Sequence, residues 1–487
     1  MARSMYRFCR FLGVAVTWLG MLSLSGAALA AGAAAATGVT GASAAFAPNI
    51  VSLGPIPLDF IFFACVLLGV ALFHNQTFNV AVGGLIAITL YKLLVTGFKP
   101  GPGVEGLLLH LGQEWVTLAN LLGLLLGFAL LSKHFEDSKV PEILPNYLPD
   151  DWKGGFVLLV LVFVISSFLD NIAAALIGGT VAATVFRHKV HIGYIAAIVA
   201  ASNGGGSGSV VGDTTTTMMW IDGVKPADVF EAYVAAVPAL LFFGYFASRQ
   251  QDAYCPIMKD APPGVKVDWA RVGIVGFILV SAVLANVFAN LFYPAVLDRF
   301  PVIGAAVWIA IVLAIPVRKP EWSLLPGALK GTIFLLSLVT IASMMPVEHL
   351  PPASWQTAFG LGFVSAVFDN IPLTALALKQ GGYDWGYLAY AVGFGGSMIW
   401  FGSSAGVALS NNFPEARSVG AWLRGGWHVA VGYVLGFFVL FAVLGWHPDS
   451  KRTKGDAAQA ATSRPAMPIA APDAAAPAGQ DLMRKGY

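Results

Sequence analysis

Phe168-Leu169-Asp170-Asn171-Ile172 returns 199 residues later as Val367-Phe368-Asp369-Asn370-Ile371, each time inside sequence that is otherwise apolar. An ionised carboxylate at membrane depth is expensive and marks function. The echo continues downstream. Ser207 is followed five residues on by Gly212-Asp213-Thr214, and Ser397 five residues on by Gly402-Ser403-Ser404. Glycine pairs, Gly205-Gly206 and Gly395-Gly396, precede the two serines. Repetition of this kind reads as an internal duplication.

Composition says where the duplication sits. With 57% hydrophobic residues, 11% charged residues and long uncharged runs, the chain reads as a polytopic membrane protein rather than a soluble domain. Its partner is then the lipid bilayer; a net charge of +2 gives no footprint for nucleic acid. Cys9 lies in the leader, Cys65 in an apolar span and Cys255 in a polar loop, so no disulfide framework follows.

The N-terminus carries Arg3, Arg7 and Arg10, then the apolar stretch from Phe11 to Leu24, then Ala28-Leu29-Ala30. That order is a secretory signal cleaved after Ala30, or an uncleaved signal anchor. The expected organisation is a signal peptide or anchor over 1–30, a disordered external segment over 31–55, transport repeat 1 over 56–250, a cytoplasmic linker over 251–268, transport repeat 2 over 269–446 and a disordered tail over 447–487.

A helix needs about 20 apolar residues to cross a core of roughly 30 Å. Uninterrupted spans are expected at 57–74, 78–97, 117–133, 226–247, 271–293, 299–317, 331–345 and 421–445, with short amphipathic stretches at 104–116 and 321–330. Residues 154–187 and 353–380 are apolar too but are interrupted by Ser166-Ser167 and Asp170-Asn171, and by Asp369-Asn370-Ile371-Pro372. Each suits a re-entrant helical hairpin with the polar pair near its tip. Residues 191–220 and 384–410 have middles, Asn203 to Gly208 and Gly393 to Ser397, too rich in glycine to stay helical. They read as broken transmembrane helices, because freed backbone at membrane depth is tolerated only beside a cavity. The fold expected is an all-α polytopic membrane protein of two repeats, each with a re-entrant hairpin and a broken helix. Five crossings per repeat is odd, so the second repeat is inverted relative to the first.

Charge tests this topology. With the mature N-terminus outside, the expected inner loops and helix ends carry Lys133, Lys139, Lys153, Arg187, Lys189, Arg249, Lys259, Lys266, Arg271, Arg318, Lys319, Lys330, Arg417 and Arg424. The outer ones before the tail carry Lys99, Lys225, Arg299 and Lys379. This is the positive-inside bias of a multi-pass protein of the bacterial inner membrane.

Inverted repeats with paired hairpins and paired broken helices suit a secondary transporter whose sites lie near the midplane. No phosphate-binding loop of the GxxxxGK[ST] kind occurs. No metal-ligand spacing or nucleophile elbow points to an enzyme. The candidate cation and proton ligands are Asp170, Asn171, Asp369, Asn370, Asp213, Asn203, Ser207, Thr214, Ser397 and Ser403, with backbone at Gly205, Gly206, Gly212, Gly395, Gly396 and Gly402 lining the site. Oxygen donors of this kind suit a hard cation such as Na⁺, held at Asp170 and at Asp369. A carboxylate in a low-dielectric site favours its neutral form when alone, so it takes a proton as the cation leaves. The plainer reading makes Asp170, Asp369 and Asp213 helix N-caps. Glu231, His428 and Arg424 fall near span ends, where an interfacial role is expected.

Asn203, Gly205-Gly206, Ser209, Gly212-Asp213 and Thr215-Thr216-Thr217-Met218-Met219-Trp220-Ile221 resemble the signature of NhaD-type sodium/proton antiporters. Those belong to the ion-transporter superfamily that also holds citrate, arsenite and dicarboxylate carriers, and the resemblance runs from about residue 55 to 445. It implies exchange of Na⁺ or Li⁺ for H⁺ without a cofactor, and a homodimer as the form related carriers often take. In dicarboxylate carriers of the superfamily a Ser-Asn-Thr motif stands at each hairpin tip. Here Asp170-Asn171-Ile172 and Asp369-Asn370-Ile371 replace it, and an acid in place of a hydroxyl repels an anionic substrate. The chain departs from the family at Ala173-Ala174-Ala175, where hydroxyl residues are usual, and at Val210, where proline is. The alternative function is an ion-coupled carrier of an anion such as citrate or arsenite.

Overall fold

The computed structural model describes residues 49–448 apart from 74–75, 259–264 and 298. The leader, residues 31–48 of the external segment, the middle of the linker with Lys259, and the tail from 449 lie outside the described residues. The structure is built almost wholly from helices. Ser52–Leu53 pairs with Ile56–Pro57 in a minimal antiparallel hairpin. The Asn49 amide donates to Thr96 O at 2.9 Å, so residues 49–55 are ordered, contrary to the disorder expected through 55.

Eight longer helices follow in the first half. They are α1 (Leu58–Leu72), α2 (Thr77–Tyr91, continued by a π-helical turn Lys92–Thr96), α3 (Gly103–Asp137), α4 (Trp152–Ser166), α5 (Asn171–Val185), α6 (Ile192–Ser207), α7 (Thr214–Ile221) and α8 (Ala232–Tyr254). The second half gives α9 (Trp269–Phe292), α10 (Val302–Ala314), α11 (Leu325–Ser343), α12 (Trp355–Ser365), α13 (Asn370–Gln380), α14 (Trp385–Gly395), α15 (Ser404–Asn412) and α16 (Trp427–Leu444). Short helical turns, Pro226–Phe230 and Val419–Gly425, precede α8 and α16.

Six helical stretches among the described residues are long and apolar enough to cross a membrane: Thr77–Thr96, Gly103–Asp137, Pro226–Tyr254, Trp269–Ala289, Trp322–Ser343 and Trp427–Leu444. Two expected spans come out shorter. Over 57–74 the helix stops at Leu72, where the Phe73 amide turns back to Gly69 O. Over 299–317 the helix begins only after Pro301 and gives way to turns at Ile315 and Val317. The amphipathic stretch 104–116 is not separate from the span that follows it. Both form the single 35-residue α3, roughly 52 Å at 1.5 Å per residue, because nothing between Glu105 and Leu131 breaks helical hydrogen bonding.

The interrupted regions behave differently. The arms α4 and α5 have 15 residues each and α12 and α13 have 11 each, so an arm is about 16–22 Å long, short of a 30 Å core. Packing is reciprocal between halves: α3 lies on α10 as α2 lies on α11, and α5 lies on α15 as α13 lies on α7. Helices α8 and α16, at equivalent places, lie on each other. The centre is filled by aromatic side chains of α14 and α16; Tyr390 Oη, fully buried, donates to Tyr433 O at 3.0 Å. His428 is buried, 1% exposed, at the start of α16; Arg424 is exposed.

Candidate functional site

The glycine runs do not break their helices. Helix α6 continues through Asn203, Gly204, Gly205 and Gly206 to Ser207, and the break occupies Gly208 to Asp213. Likewise α14 includes Gly393 and Gly395, and the break runs from Gly396 to Ser403. The glycines serve close approach instead. A Cβ on Gly205 would stand 2.0 Å from Phe163 O, and one on Gly395 would stand 2.3 Å from Gly362 O. The hairpin arms therefore lie backbone to backbone on the half-helices. Ser166 Oγ donates to Ser202 O at 2.6 Å, and at the equivalent place Ser365 Oγ donates to Val392 O at 2.7 Å. The breaks are equally tight, since a Cβ on Gly212 would meet Ser166 O at 2.2 Å and one on Gly402 would meet Ala366 O at 2.5 Å.

Each named acid starts a helix. Asp170 Oδ2 accepts from the Ile172 amide at 3.2 Å and Asp369 Oδ1 from the Ile371 amide at 3.0 Å. Asp213 Oδ1 accepts from the Thr215 amide at 3.2 Å, and Ser403 Oγ from the Gly406 amide at 3.3 Å. Capping satisfies donors that a helix start leaves free, but it uses one oxygen of each carboxylate and leaves the other for something else.

The second oxygens differ. Asp369 Oδ2 accepts from Ser404 Oγ at 3.1 Å. Asp213, 3% exposed, accepts on Oδ2 from Asn370 Nδ2 at 3.5 Å. Asp170 and Asp213 both line a cavity of about 10 Å³ together with Thr214 and Thr217, space for about one water molecule or one bare cation. Its other walls are Leu121, Leu124, Leu125 and Phe128 of α3 and Val211 of the break. Asp369 does not line it.

A second polar cluster joins the halves. Asn171 Nδ2 donates to Asn203 Oδ1 at 3.0 Å, and Asn203 Nδ2 donates to Ser397 Oγ at 2.9 Å and Ser403 Oγ at 3.0 Å. Every member is buried. Ser207 Oγ donates within its own helix to Gly204 O at 2.8 Å.

Thr217 lines the cavity but is absent from the candidate ligands singled out in the sequence, where Thr214 alone represents the threonine run. Its spacing from Thr214 is the available signal, since residues three apart share a helix face. Thr215 and Thr216 point elsewhere; Thr216 Oγ1 donates to Ser209 O at 2.6 Å. The apolar wall from α3 had no sequence signal.

No family model matches the chain. A curated relative, "Sodium/proton antiporter 1" of Arabidopsis thaliana, is 26% identical over 390 residues, which cover 70% of this chain and 64% of the relative. The matched stretch thus spans less than two thirds of that protein.

Proposed function

We propose that this chain is a secondary transporter, not an enzyme, that exchanges Na⁺ or Li⁺ for H⁺ across the bacterial inner membrane. The observation that carries the reading is the cavity of about 10 Å³ between Asp170 and Asp213, lined also by Thr214 and Thr217. Two carboxylates facing one buried space of that size are not tolerated as bare charges. They need either a cation between them or a proton. Oxygen donors and small volume favour an unhydrated hard cation over a large or anionic substrate. Occupancy by Na⁺ and by a proton is mutually exclusive in so small a space, and that exclusion is the coupling an exchanger needs.

Inverted repeats are the architecture that this mechanism uses. The reading is supported by the repeated order of helices, by the paired Ser166 and Ser365 bonds and by the reciprocal packing of hairpins on half-helices. Arms of 15 and 11 residues suit re-entrant hairpins whose tips bring Asp170 and Asp369 to mid-depth. The relative named a sodium/proton antiporter agrees with this reading. Within it, Asp170 with Asp213 forms the principal cation site, and Asp369, engaged by Ser404, is the secondary proton and cation group.

The test is fluorescence of a pH-sensitive dye in everted vesicles from antiporter-deficient cells expressing the chain, with NaCl, LiCl, KCl and citrate added in turn. Dequenching by Na⁺ or Li⁺ is expected, and its loss in Asp170→Asn and Asp213→Asn variants that still insert. Exchange that survives both substitutions would overturn the site. Citrate transport without cation/proton exchange would overturn the function.

A further inference from the structure

Away from the transport site, three side chains from distant parts of the chain converge where helices begin and end. Glu231 stands at the start of α8, Asp384 caps the start of α14, and His447 lies just past the end of α16. One ligand atom from each lies within 4.8 Å of the others. His447 Nδ1 is 3.4 Å from Asp384 Oδ2. Two ligands bound at about 2.0–2.1 Å to a tetrahedral zinc stand about 3.3–3.4 Å apart, so this pair already has the spacing of a metal edge.

The surroundings hold these groups as outer-shell partners hold metal ligands. The other ring nitrogen of His447, Nε2, contacts Leu444 O. A proton on Nε2 leaves the Nδ1 lone pair facing Asp384. Asp384 is 2% exposed, and its carboxylate is fixed by two amides: His447 N–H at 3.1 Å on Oδ2 and Tyr387 N–H at 3.4 Å on Oδ1. Tyr387 Oη donates to Gly445 O at 2.6 Å, which pins the turn that carries His447. Glu231 leans over the same helix start, for a Cβ on Gly386 would lie 3.3 Å from its Oε2. His447 has a side chain 53% exposed, so a fourth position opens to solvent.

We propose that Glu231, Asp384 and His447 form a binding site for a divalent late transition cation, with zinc the best fit, that fastens the end of α16 to the starts of α8 and α14. One imidazole with two carboxylates selects such an ion over Mg²⁺ or Ca²⁺, which prefer more oxygen ligands. Because α14 carries the second broken helix, the occupied site ties down an element that transport would have to move.

The test uses the full-length chain in detergent, purified without a histidine tag and titrated with Co²⁺ as a visible probe, then with Zn²⁺ as competitor. One equivalent of Co²⁺ with tetrahedral visible absorption, displaced by Zn²⁺, is expected. His447→Ala loses at least about tenfold in affinity, since even an outer-shell partner is worth 10–100-fold. Seven other histidines remain in that variant as its internal control. Glu231→Gln weakens binding while retaining the fold and serves as the second variant. Equal binding by the wild type and His447→Ala, no binding by folded protein, or a preference for Mg²⁺ or Ca²⁺ would each overturn the proposal.

Discussion

Gly205→Ala puts one methyl group into α6 at the point where the hairpin arm α4 crosses it. The new Cβ would stand 2.0 Å from Phe163 O, 2.8 Å from Phe163 C and 2.9 Å from Phe163 Cα. All three are main-chain atoms, so no side-chain rotation relieves the clash; α4 and α6 must part by more than about 1 Å to approach ordinary contact distances of about 3.5 Å. Overpacking of this kind costs about 1–3 kcal/mol. Separation also stretches the bonds from Ser166 Oγ to Ser202 O and from Ser167 Oγ to Gly205 O, each worth about 0.5–1.5 kcal/mol. Against this, alanine gains about 1 kcal/mol over glycine inside a helix, leaving a net loss of about 1–5 kcal/mol. Thermal unfolding of the full chain in detergent should therefore show a lower apparent Tm for Gly205→Ala. Gly360→Ala is the control, because that glycine lies within α12 and a Cβ there meets nothing within 4 Å; its Tm should be unchanged or higher. If glycines 204–206 exist to loosen the helix, Gly205→Ala will stabilise the protein. A Tm at or above the wild type would refute the close-packing argument.

Thr214→Val removes a cavity oxygen while keeping shape, and should raise the KM for Na⁺ by about 5–30-fold, the equivalent of 1–2 kcal/mol, with little change for the proton-dependent step; an unaltered KM in the vesicle assay would remove Thr214 from the site. Asn203→Ala strands Asn171 and Ser397, buried groups whose loss of partners costs about 1–3 kcal/mol each, and leaves Ser403 only the Gly406 amide, so a clear fall in Tm is expected and a neutral result would contradict the network. Lys92→Met breaks a pair held at 2.7 Å with side chains only 5% and 2% exposed, and should cost about 3–5 kcal/mol by leaving Asp59 charged and alone. Adding Asp59→Leu should restore most of that stability, and failure of the double variant to recover would show that the pair does more than neutralise itself.

Which features could be read from the chain follows from the physics of each. The helix starts at Asp170-Asn171 and Asp369-Asn370 were legible because these pairs interrupt apolar sequence, and a polar pair in such a run has few places to go. The position of the breaks was not. Glycine's low helix propensity placed them at 203–208 and 393–397, but propensity is a local term, and Phe163 O and Gly362 O decided the matter from another helix. Lengths of crossings depended likewise on detail at the ends, such as Pro301 before α10 and the Phe73 cap after α1.

The asymmetry of the site was equally hidden, because the two halves offer similar inventories of oxygen. Ten residues before Asp213 stands Asn203; ten residues before Ser403 stands Gly393. Asn203 reaches across and bonds to Ser397 and Ser403, so its amide fills that junction. Gly393 cannot reach, and a Cβ there would lie 3.2 Å from Ser207 Cβ and 3.6 Å from Asp213 Oδ2. The first half thus supplies both the amide that closes one junction and the carboxylate, Asp213, that edges the other. Ser404, the counterpart of Thr214, bonds directly to Asp369, whereas Thr214 and Asp170 face the shared cavity without closing it. With one junction closed by neutral groups and the other edged by two acids, a bound cation is expected at the second. Under the proposed function exchange would run through Asp170 and Asp213, and substitutions at Asp369 should act on rate before they act on Na⁺ affinity.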